Sequence, residues 1–299
     1  MADVTTSTAS ANGIEIAYET HGDPSGEPLL LVMGLGAQLI AWPIELCDAL
    51  VDRGFFVVRY DNRDTGLSTK LEDPADHDFM ASFLRASQGE PIEVAYKLTD
   101  MAADGMALLD HLGIESAHIV GASMGGMIAQ TMAIEHPARV RTLTSIMSTT
   151  GEPEVGQPTA EAMAILLRPT ATSRDEAIAA SVEASKAIGS PEHFDPTMAK
   201  TRAEEAYDRS FFPAGVARQL LAIVASGSRA DGLAQLDVPT VVIHGDADPL
   251  VTPSGGQRTA ELIPGAELVV LEGAGHDLPL QLLPQVVDAV TSLAAGTHA

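Results

Sequence analysis

The sequence predicts an α/β fold in which helices wrap a mainly parallel β-sheet. Short apolar runs rich in branched residues alternate along the chain with segments of helical periodicity, which is typical of a parallel sheet. Five of these runs are almost continuously apolar, as strands covered on both faces must be. Seven strands are predicted in this way, over residues 14–18, 29–33, 55–60, 118–120, 143–147, 240–244 and 267–271.

Four of these strands are followed by a predicted helix. Gly54 and Gly113 come directly after the first two of these helices, where glycine commonly ends a helix because it adopts a positive φ without strain. The four helices span residues 44–53, 98–112, 124–136 and 280–295.

The alternation stops after Thr150. Residues 151–236, called the inserted segment below, are helical in pattern and contain no strand-like run. A helical block between two strands normally folds over one end of the sheet. We therefore predict a core of residues 1–150 and 237–299 with a helical cap of residues 151–236. The four helices predicted within the cap span residues 160–168, 174–187, 196–209 and 215–226.

Composition and charge exclude several classes of protein. Of 299 residues, 45% are apolar and 19% are charged, so the chain can bury a sizeable core and is not disordered overall. Its 41 acidic and 17 basic residues give a formal net charge of −24. Because this charge repels phosphate groups, we expect neither nucleic acid nor an anionic membrane surface as a partner.

Two further features indicate a cytoplasmic protein without stable membrane insertion. Residues 1–10 contain an early acid and lack the basic run and apolar stretch of a secretion signal. The most apolar window, residues 28–42, is shorter than the roughly 20 residues that cross a bilayer. The single cysteine, Cys47, cannot form a disulfide within the chain and is interpreted as a half-buried structural thiol.

The strongest local motif is Gly-x-Ser-x-Gly, from Gly121 to Gly125, between a predicted strand and a predicted helix. This is the context of a nucleophile elbow, in which the serine occupies a strained turn. The flanking glycines are required because strand and helix nearly touch there. The context favours Ser123 as a nucleophile over the alternative of a structural glycine-rich turn.

A serine nucleophile needs a base, and the base needs an acid that fixes its tautomer. His276 follows the predicted strand 267–271 in a glycine-rich loop, and Asp246 and Asp248 follow the strand 240–244. Because parallel strands end at one edge of the sheet, these groups should converge there with Ser123. We predict Asp248 as the acid, since Asp246 is placed to cap its own turn.

We predict His276 as the base because the other histidines lack such a context. They lie within or beside predicted helices and strands, or in loops and the tail: His21, His77, His111, His118, His136, His193, His244 and His298. The chain has no H-x-x-x-H, H-E-x-x-H or paired-cysteine spacing, so we expect no metal site.

Acyl transfer also needs two N–H donors for the developing oxyanion. The backbone N–H of Met124 is one candidate because it lies at the start of the helix that follows Ser123. The backbone N–H of Leu35 is the other, since Gly34 and Gly36 allow a close approach of the loop after strand 29–33. An ordinary turn at the end of a strand is the alternative for these glycines.

Together, these motifs resemble the α/β-hydrolase superfamily over nearly the whole chain. Within it, the sequence is most similar to the actinobacterial lipase and esterase branch that includes aclacinomycin methylesterase-type proteins. That branch also carries Met-Gly, here Met33-Gly34, where most relatives have His-Gly. The segments that carry the resemblance are residues 30–36, 59–68, 121–125, 245–249 and 273–276.

The resemblance implies an eight-stranded, mainly parallel sheet with a variable helical cap inserted after strand 6. It implies the roles already predicted from the residues for the catalytic and oxyanion groups. It also implies that residues 59–68 form a structural turn, in which we assign Arg63 a supporting ion pair. Asp64 stands where relatives often carry glycine, so this turn is expected to differ in detail.

We predict hydrolysis of a carboxylic ester with an apolar portion, through an acyl-enzyme and without a cofactor. Thioesterase, lactonase, perhydrolase and carbon–carbon hydrolase activities use the same triad and stay open, as does a ligand-sensing protein with vestigial turnover. An adaptable apolar substrate pocket is predicted, although several of its members also fit an ordinary core. The predicted pocket residues are Met33, Met127, Met163, Phe211 and Phe212.

Overall fold

The computed structural model describes residues 6–72 and 79–296, so the predictions for His77 and His298 lie outside the described residues. Within these ranges the predicted α/β fold is confirmed, because eight strands form one sheet in the order β1-β2-β4-β3-β5-β6-β7-β8. Strand β2 is antiparallel to its two neighbours and the other pairs are parallel. The strands are β1 Ser7–Ala11, β2 Ile14–His21, β3 Glu27–Val32, β4 Phe55–Tyr60, β5 Ala117–Ala122, β6 Val140–Ile146, β7 Thr240–Gly245 and β8 Glu267–Leu271.

Strand β1 is the one strand of the sheet that the apolar runs did not predict. Its sequence is Ser-Thr-Ala-Ser-Ala, and its buried positions are only Ala9 and Ala11. Two alanines give a weak apolar signal, so the strand is defined by its antiparallel pairing with β2, where Ala9 lies opposite Ile16.

The helices follow the predicted alternation with three additions. Helices α2, α9 and α10 were not predicted, and the predicted helix 280–295 begins as a short 3-10 turn, Leu280–Leu282. Helix α7 has the predicted boundaries, and the remaining helix boundaries differ from the predictions by one or two residues. The helices are α1 Ile44–Val51, α2 Phe79–Ser87, α3 Leu98–His111, α4 Met124–Glu135, α5 Ala160–Leu166, α6 Arg174–Ile188, α7 Pro196–Arg209, α8 Pro213–Ser226, α9 Ala230–Leu233, α10 Ser254–Leu262 and α11 Leu283–Gly296.

The core consists of two apolar layers, one on each face of the sheet. Alternate residues of β3 separate between them, with Leu30 and Val32 in one layer and Leu29 and Leu31 in the other. Helices α3 and α4 cover the first face, and α1 and α11 cover the second. This packing holds the central strands rigidly, so the loops at their carboxyl ends start from fixed positions.

Helices α5 to α8 lie between β6 and β7, where the inserted segment was predicted. Helices α6 and α7 pack against each other, and α8 packs against α2 and α3. The division of the chain into a core and a cap stays a prediction. Within the described ranges, no helix combines the length and the apolar character needed to cross a membrane.

Candidate active site

Ser123 lies at a sharp turn between β5 and α4. Its φ is 56° and its ψ is −121°, a conformation that raises the energy of a non-glycine residue by about 1–3 kcal/mol. A Cβ added to Gly121 would lie 2.1 Å from the carbonyl oxygen of Gly125, and one added to Gly125 would lie 2.0 Å from that of Val32. Glycine is therefore required on both sides of this serine.

The strained turn is anchored by the neighbouring strand. The Ser123 N–H donates a hydrogen bond of 2.9 Å to the carbonyl oxygen of Ile146, at the end of β6. The Ser148 hydroxyl donates one of 2.9 Å to the carbonyl oxygen of Ser123. These contacts fix the backbone on each side of the hydroxyl, so the side chain keeps one direction.

A chain of hydrogen bonds joins Ser123, His276 and Asp248. His276 Nε2 lies 2.9 Å from Ser123 Oγ, and His276 Nδ1 lies 2.7 Å from Asp248 Oδ2. The carboxylate can only accept, so Nδ1 carries the proton and Nε2 has a free lone pair toward the serine hydroxyl. The structure thus brings together three residues that are 28 and 153 positions apart along the sequence.

Asp248 lies in a buried turn after β7. The residue is 3% exposed, and its Oδ1 accepts hydrogen bonds from the N–H groups of Leu250 at 2.8 Å and Val251 at 2.9 Å. Because Oδ1 is occupied in this way, Oδ2 is directed at the imidazole of His276. Such an arrangement stabilises the imidazolium that forms when the histidine takes a proton.

The structure corrects the role predicted for Asp246. Its side chain is exposed and does not cap its own turn; its Oδ1 accepts a hydrogen bond of 2.7 Å from the N–H of Gly273. Gly273 lies in the loop that carries His276. The capping role belongs to Asp248, so Asp246 joins the ends of β7 and β8.

His244 is a second buried histidine beside the acid. Its Nε2 lies 2.7 Å from the carbonyl oxygen of Val251 and 3.6 Å from Asp248 Oδ2. Burial lowers its pKa from the ordinary value, so the neutral ring donates to Val251. The sequence predicts a structural histidine here, and the contact with the turn of Asp248 was not predicted.

The loop after β3 lies against the nucleophile. A Cβ on Gly34 would be 3.1 Å from Ser123 Cβ and 3.6 Å from its Oγ. The loop turns back on itself through a hydrogen bond of 3.3 Å from the Ala37 N–H to the Gly34 carbonyl. Asn62 Nδ2 donates to the Met33 carbonyl at 2.8 Å. Leu35 and Met124, the predicted oxyanion donors, thus belong to backbone segments that flank Ser123.

The methionines near the site are mainly core residues. Met124 and Met127 are buried in the layer covered by α3 and α4, and Met33 is buried in the layer on the other face of the sheet. Met33 and Met127 are 8% and 7% exposed, so each presents only a small part of its side chain to any ligand.

Phe211 and Phe212, two of the predicted substrate contacts, lie beside the loop after β3. These residues line a cavity of about 220 Å³ with Gly36 and Tyr207, and no triad residue lines it. Phe211 is 44% exposed and stacks on Tyr207 with a centroid distance of 4.7 Å. Met163 is half-buried on α5. The lining of this cavity could not be predicted from the sequence because it depends on how the inserted helices lie on the sheet.

The inserted segment holds the loop that carries the histidine. The His276 N–H donates a hydrogen bond of 2.7 Å to the carbonyl oxygen of Ile188, at the end of α6. Asp277 Oδ1 accepts from the N–H and the hydroxyl of Ser190 at 3.0 and 2.5 Å. The hydroxyl oxygen of Ser190 in turn accepts from the Gly275 N–H at 3.0 Å. These polar partners were not predicted from the sequence.

Two arginines of the inserted segment bind the turn after β4. Arg209 Nη1 lies 2.7 Å from Asp61 Oδ2, and Arg218 forms two hydrogen bonds of 2.8 and 2.9 Å with Asp64. Asp64 has a φ of 66°, which explains why glycine also suits this position. The predicted ion pair of Arg63 is confirmed, with Asp104 at 2.6 Å.

No group of three potential metal-binding side chains comes together in the part of the chain that the structure describes.

The chain belongs to the alpha/beta hydrolase fold family, whose family model matches residues 27–281. It is therefore a hydrolytic enzyme, and the predicted resemblance is confirmed. Rhodomycin D methylesterase DnrP of Streptomyces peucetius is 30% identical over 91% of this chain and 92% of its own length.

Two solved structures support the fold. The meta-cleavage product hydrolase of Pseudomonas fluorescens IP01 matches with a TM-score of 0.75, 20% identity and coverage of 97% of each chain. The enol-lactonase of Burkholderia xenovorans LB400 matches with a TM-score of 0.74 and 22% identity, over 97% of this chain and 100% of its own.

Proposed function

We propose that this protein is a carboxylic ester hydrolase with Ser123 as nucleophile, His276 as general base and Asp248 as the acid of the triad. The observation that carries the proposal is the unbroken hydrogen-bond path from Asp248 through His276 to Ser123, with distances of 2.7 and 2.9 Å. The strained elbow at Ser123 and the loop packed against it support the same reading.

In the first half of the reaction, Ser123 Oγ attacks the ester carbonyl carbon while its proton moves to His276 Nε2. The carbonyl oxygen becomes an oxyanion, which the N–H groups of Leu35 and Met124 stabilise. The tetrahedral intermediate then collapses. The carbon–oxygen bond to the alcohol breaks, His276 returns the proton to the leaving alkoxide, and an acyl-enzyme stays on Ser123.

In the second half, water replaces the alcohol. His276 takes a proton from water while the water oxygen attacks the acyl carbon. The second tetrahedral intermediate then expels Ser123 Oγ. The proton passes to the serine, and the carboxylic acid leaves. Asp248 keeps its charge throughout and stabilises the imidazolium in both halves. The net reaction is ester plus water to acid plus alcohol, and no step requires a cofactor.

A methyl ester on a large apolar acid is the narrower substrate that we propose. The 30% identity to a methylesterase over nearly the full length of both chains favours it over the thioester, lactone and carbon–carbon alternatives. A small alcohol and a large acyl group require most of the binding surface on the acyl side of Ser123.

The proposal is tested by comparing the wild type with Ser123→Ala on p-nitrophenyl esters from acetate to palmitate and by labelling with a fluorophosphonate. We expect turnover and labelling in the wild type and the loss of both in Ser123→Ala. Ser116→Ala is the matched control because Ser116 directly precedes β5, at the opposite end of that strand from Ser123. A wild type with neither turnover nor labelling would contradict the proposal and favour a ligand-sensing protein.

A further inference from the structure

Gln219 of helix α8 links the inserted segment to the loop beside Ser123. Its side chain is fully buried, and its Oε1 accepts a hydrogen bond of 2.8 Å from the Gly36 N–H. Its Nε2 donates to the Arg63 carbonyl and the Thr65 hydroxyl, each at 2.8 Å. Because the Arg63 carbonyl can only accept, the amide has one orientation, with its oxygen on Gly36.

This contact acts on the peptide next to the predicted oxyanion donor. Gly36 is the third residue of a turn closed by the hydrogen bond from the Ala37 N–H to the Gly34 carbonyl, and its φ of 66° is typical of a type II turn. In a trans peptide the C=O and the following N–H point in opposite directions. The turn that directs the Gly34 carbonyl inward therefore directs the Leu35 N–H outward.

Helix α8 also limits where this turn can move. A Cβ on Gly36 would lie 2.9 Å from Val216 Cγ2, so the helix packs directly on the loop. The ion pair of Arg218 with the buried Asp64 fixes the same turn of α8 to the core. The loop is thus held by Asn62 at Met33 and by Gln219 at Gly36, on each side of Leu35.

We propose that Gln219 is a positioning residue of the oxyanion hole, through which the inserted segment sets the direction of the Leu35 N–H. The inference rests on the proposed ester hydrolysis. It assigns the inserted segment a part in the chemical step, because the hydrogen bond of Gln219 orders a donor that is used mainly in the transition state.

The expected signature is a loss of kcat with KM retained. An interaction made only in the transition state changes kcat and kcat/KM equally. Removal of a whole oxyanion donor lowers kcat by about 10²–10³, so misdirecting one should lower it by about 10- to 100-fold.

The experiment compares Gln219→Met with the wild type. Leu220→Ala is the matched control, because Leu220 is the next residue of α8, is buried and has no part in the loop contact. Turnover of p-nitrophenyl butyrate is measured together with inhibition by an alkyl trifluoromethyl ketone and by the corresponding methyl ketone. Ser123 Oγ attacks the carbonyl carbon of the trifluoromethyl ketone, and the adduct carries an oxyanion. The methyl ketone binds without forming such an adduct.

We expect Gln219→Met to lower kcat and the affinity for the trifluoromethyl ketone by a similar factor, with KM and the affinity for the methyl ketone retained. Leu220→Ala should lower thermal stability and leave all four quantities near those of the wild type. Thr65→Val is the second variant should Gln219→Met fail to fold, because it removes the hydroxyl that accepts a hydrogen bond from Gln219 Nε2. It should show a smaller loss of the same kind.

Two results would overturn the inference. One is a folded Gln219→Met protein with wild-type kcat and wild-type affinity for the trifluoromethyl ketone. The other is an equal weakening of both ketones, which would assign Gln219 a general structural role. In either case a fully active wild type leaves the proposed function standing, whereas a wild type without turnover or labelling overturns both.

Discussion

The sheet edge and the inserted segment shape the candidate site through different kinds of contact. At the sheet edge, local backbone geometry positions the reacting groups. Examples are the strain at Ser123, the close approach of Gly121 to Gly125 and the turn around Asp248. The inserted segment contributes through side chains. Gln219 and Ser190 hold residues that lie more than 80 positions away in the sequence.

The reacting groups therefore lie at the sheet edge, and the inserted segment supplies contacts that orient the loops around them. The triad stands on rigid strand ends, so replacing a triad member should change the chemistry and leave the fold intact. The inserted segment is attached by polar pairs whose partners in the core are buried, so replacing the residue of the inserted segment leaves a desolvated partner. Substitutions there should act first on stability and loop geometry.

The largest effect that sharpens this comparison is expected for Asp248→Asn. The variant keeps the shape of the turn, but its amide cannot stabilise the imidazolium and favours the wrong tautomer of His276. We expect kcat to fall by a factor on the order of 10⁴, as for a triad acid elsewhere. Steady-state kinetics on a p-nitrophenyl ester, with circular dichroism as a check of folding, measures this.

Asp246→Asn is the matched control for this prediction. Its carboxylate binds the Gly273 N–H and is exposed, and an asparagine oxygen can accept the same hydrogen bond. Activity should stay close to that of the wild type. A loss in Asp246→Asn as large as that in Asp248→Asn would contradict the assignment of Asp248 as the acid.

The sequence predicts well those features of the site that depend on local backbone geometry. The glycines around Ser123 and the loops after β7 and β8 are motifs whose spacing reflects a steric requirement, so Asp248 and His276 could be proposed without coordinates. Most strands were predicted because their residues are apolar on both faces. Strand β1 was missed since two alanines mark it so weakly.

What the sequence does not predict is the set of partners that the inserted segment contributes. Gln219, Ser190 and Asp277 are common polar residues with no local pattern, and their hydrogen bonds depend on how α6 and α8 lie against the sheet. The same holds for the surroundings of Phe211, which was predicted as a substrate contact from its apolar side chain and which lines a cavity between the inserted helices and the loop at Gly36.

A smaller effect, on stability, is expected when an attachment of the inserted segment is cut. In Arg218→Met, Asp64 stays buried with the Tyr96 hydroxyl as a side-chain donor, and its charge loses its guanidinium partner. Removal of one member of such a pair should lower the free energy of unfolding by about 3 kcal/mol. Urea unfolding at pH 7 measures the change.

Arg174→Met tests whether burial is the cause. Arg174 forms a similar two-point pair with Asp208 within the inserted segment, but their side chains are 42% and 58% exposed. Because water screens this pair, its removal should change stability far less than Arg218→Met. Equal losses of unfolding free energy in the two variants would contradict the view that burial of Asp64 makes its ion pair the more important one for stability.

The smallest effect concerns acid pH and again separates the two regions. The pKa of His244 is lowered from its ordinary value of 6.5, mainly by burial and to a lesser extent by the nearby charge of His276. The Val251 carbonyl and Asp248 act in the opposite direction and raise this pKa. Below about pH 6.5 the unfolded chain therefore holds a proton that the folded protein does not, so stability falls with pH until the folded-state pKa is reached. One histidine contributes at most about 1.4 kcal/mol per pH unit to this slope.

His244→Gln should reduce that slope, because glutamine does not titrate and its amide N–H can still donate to the Val251 carbonyl. The free energy of unfolding is measured at pH 7.5 and at pH 5.5 for the wild type and the variant. His193→Gln, in the inserted segment, is the control for replacing a histidine with glutamine. If His244→Gln kept the full wild-type slope, or if His193→Gln reduced it as much, the acid sensitivity would not arise from the buried histidine beside the triad.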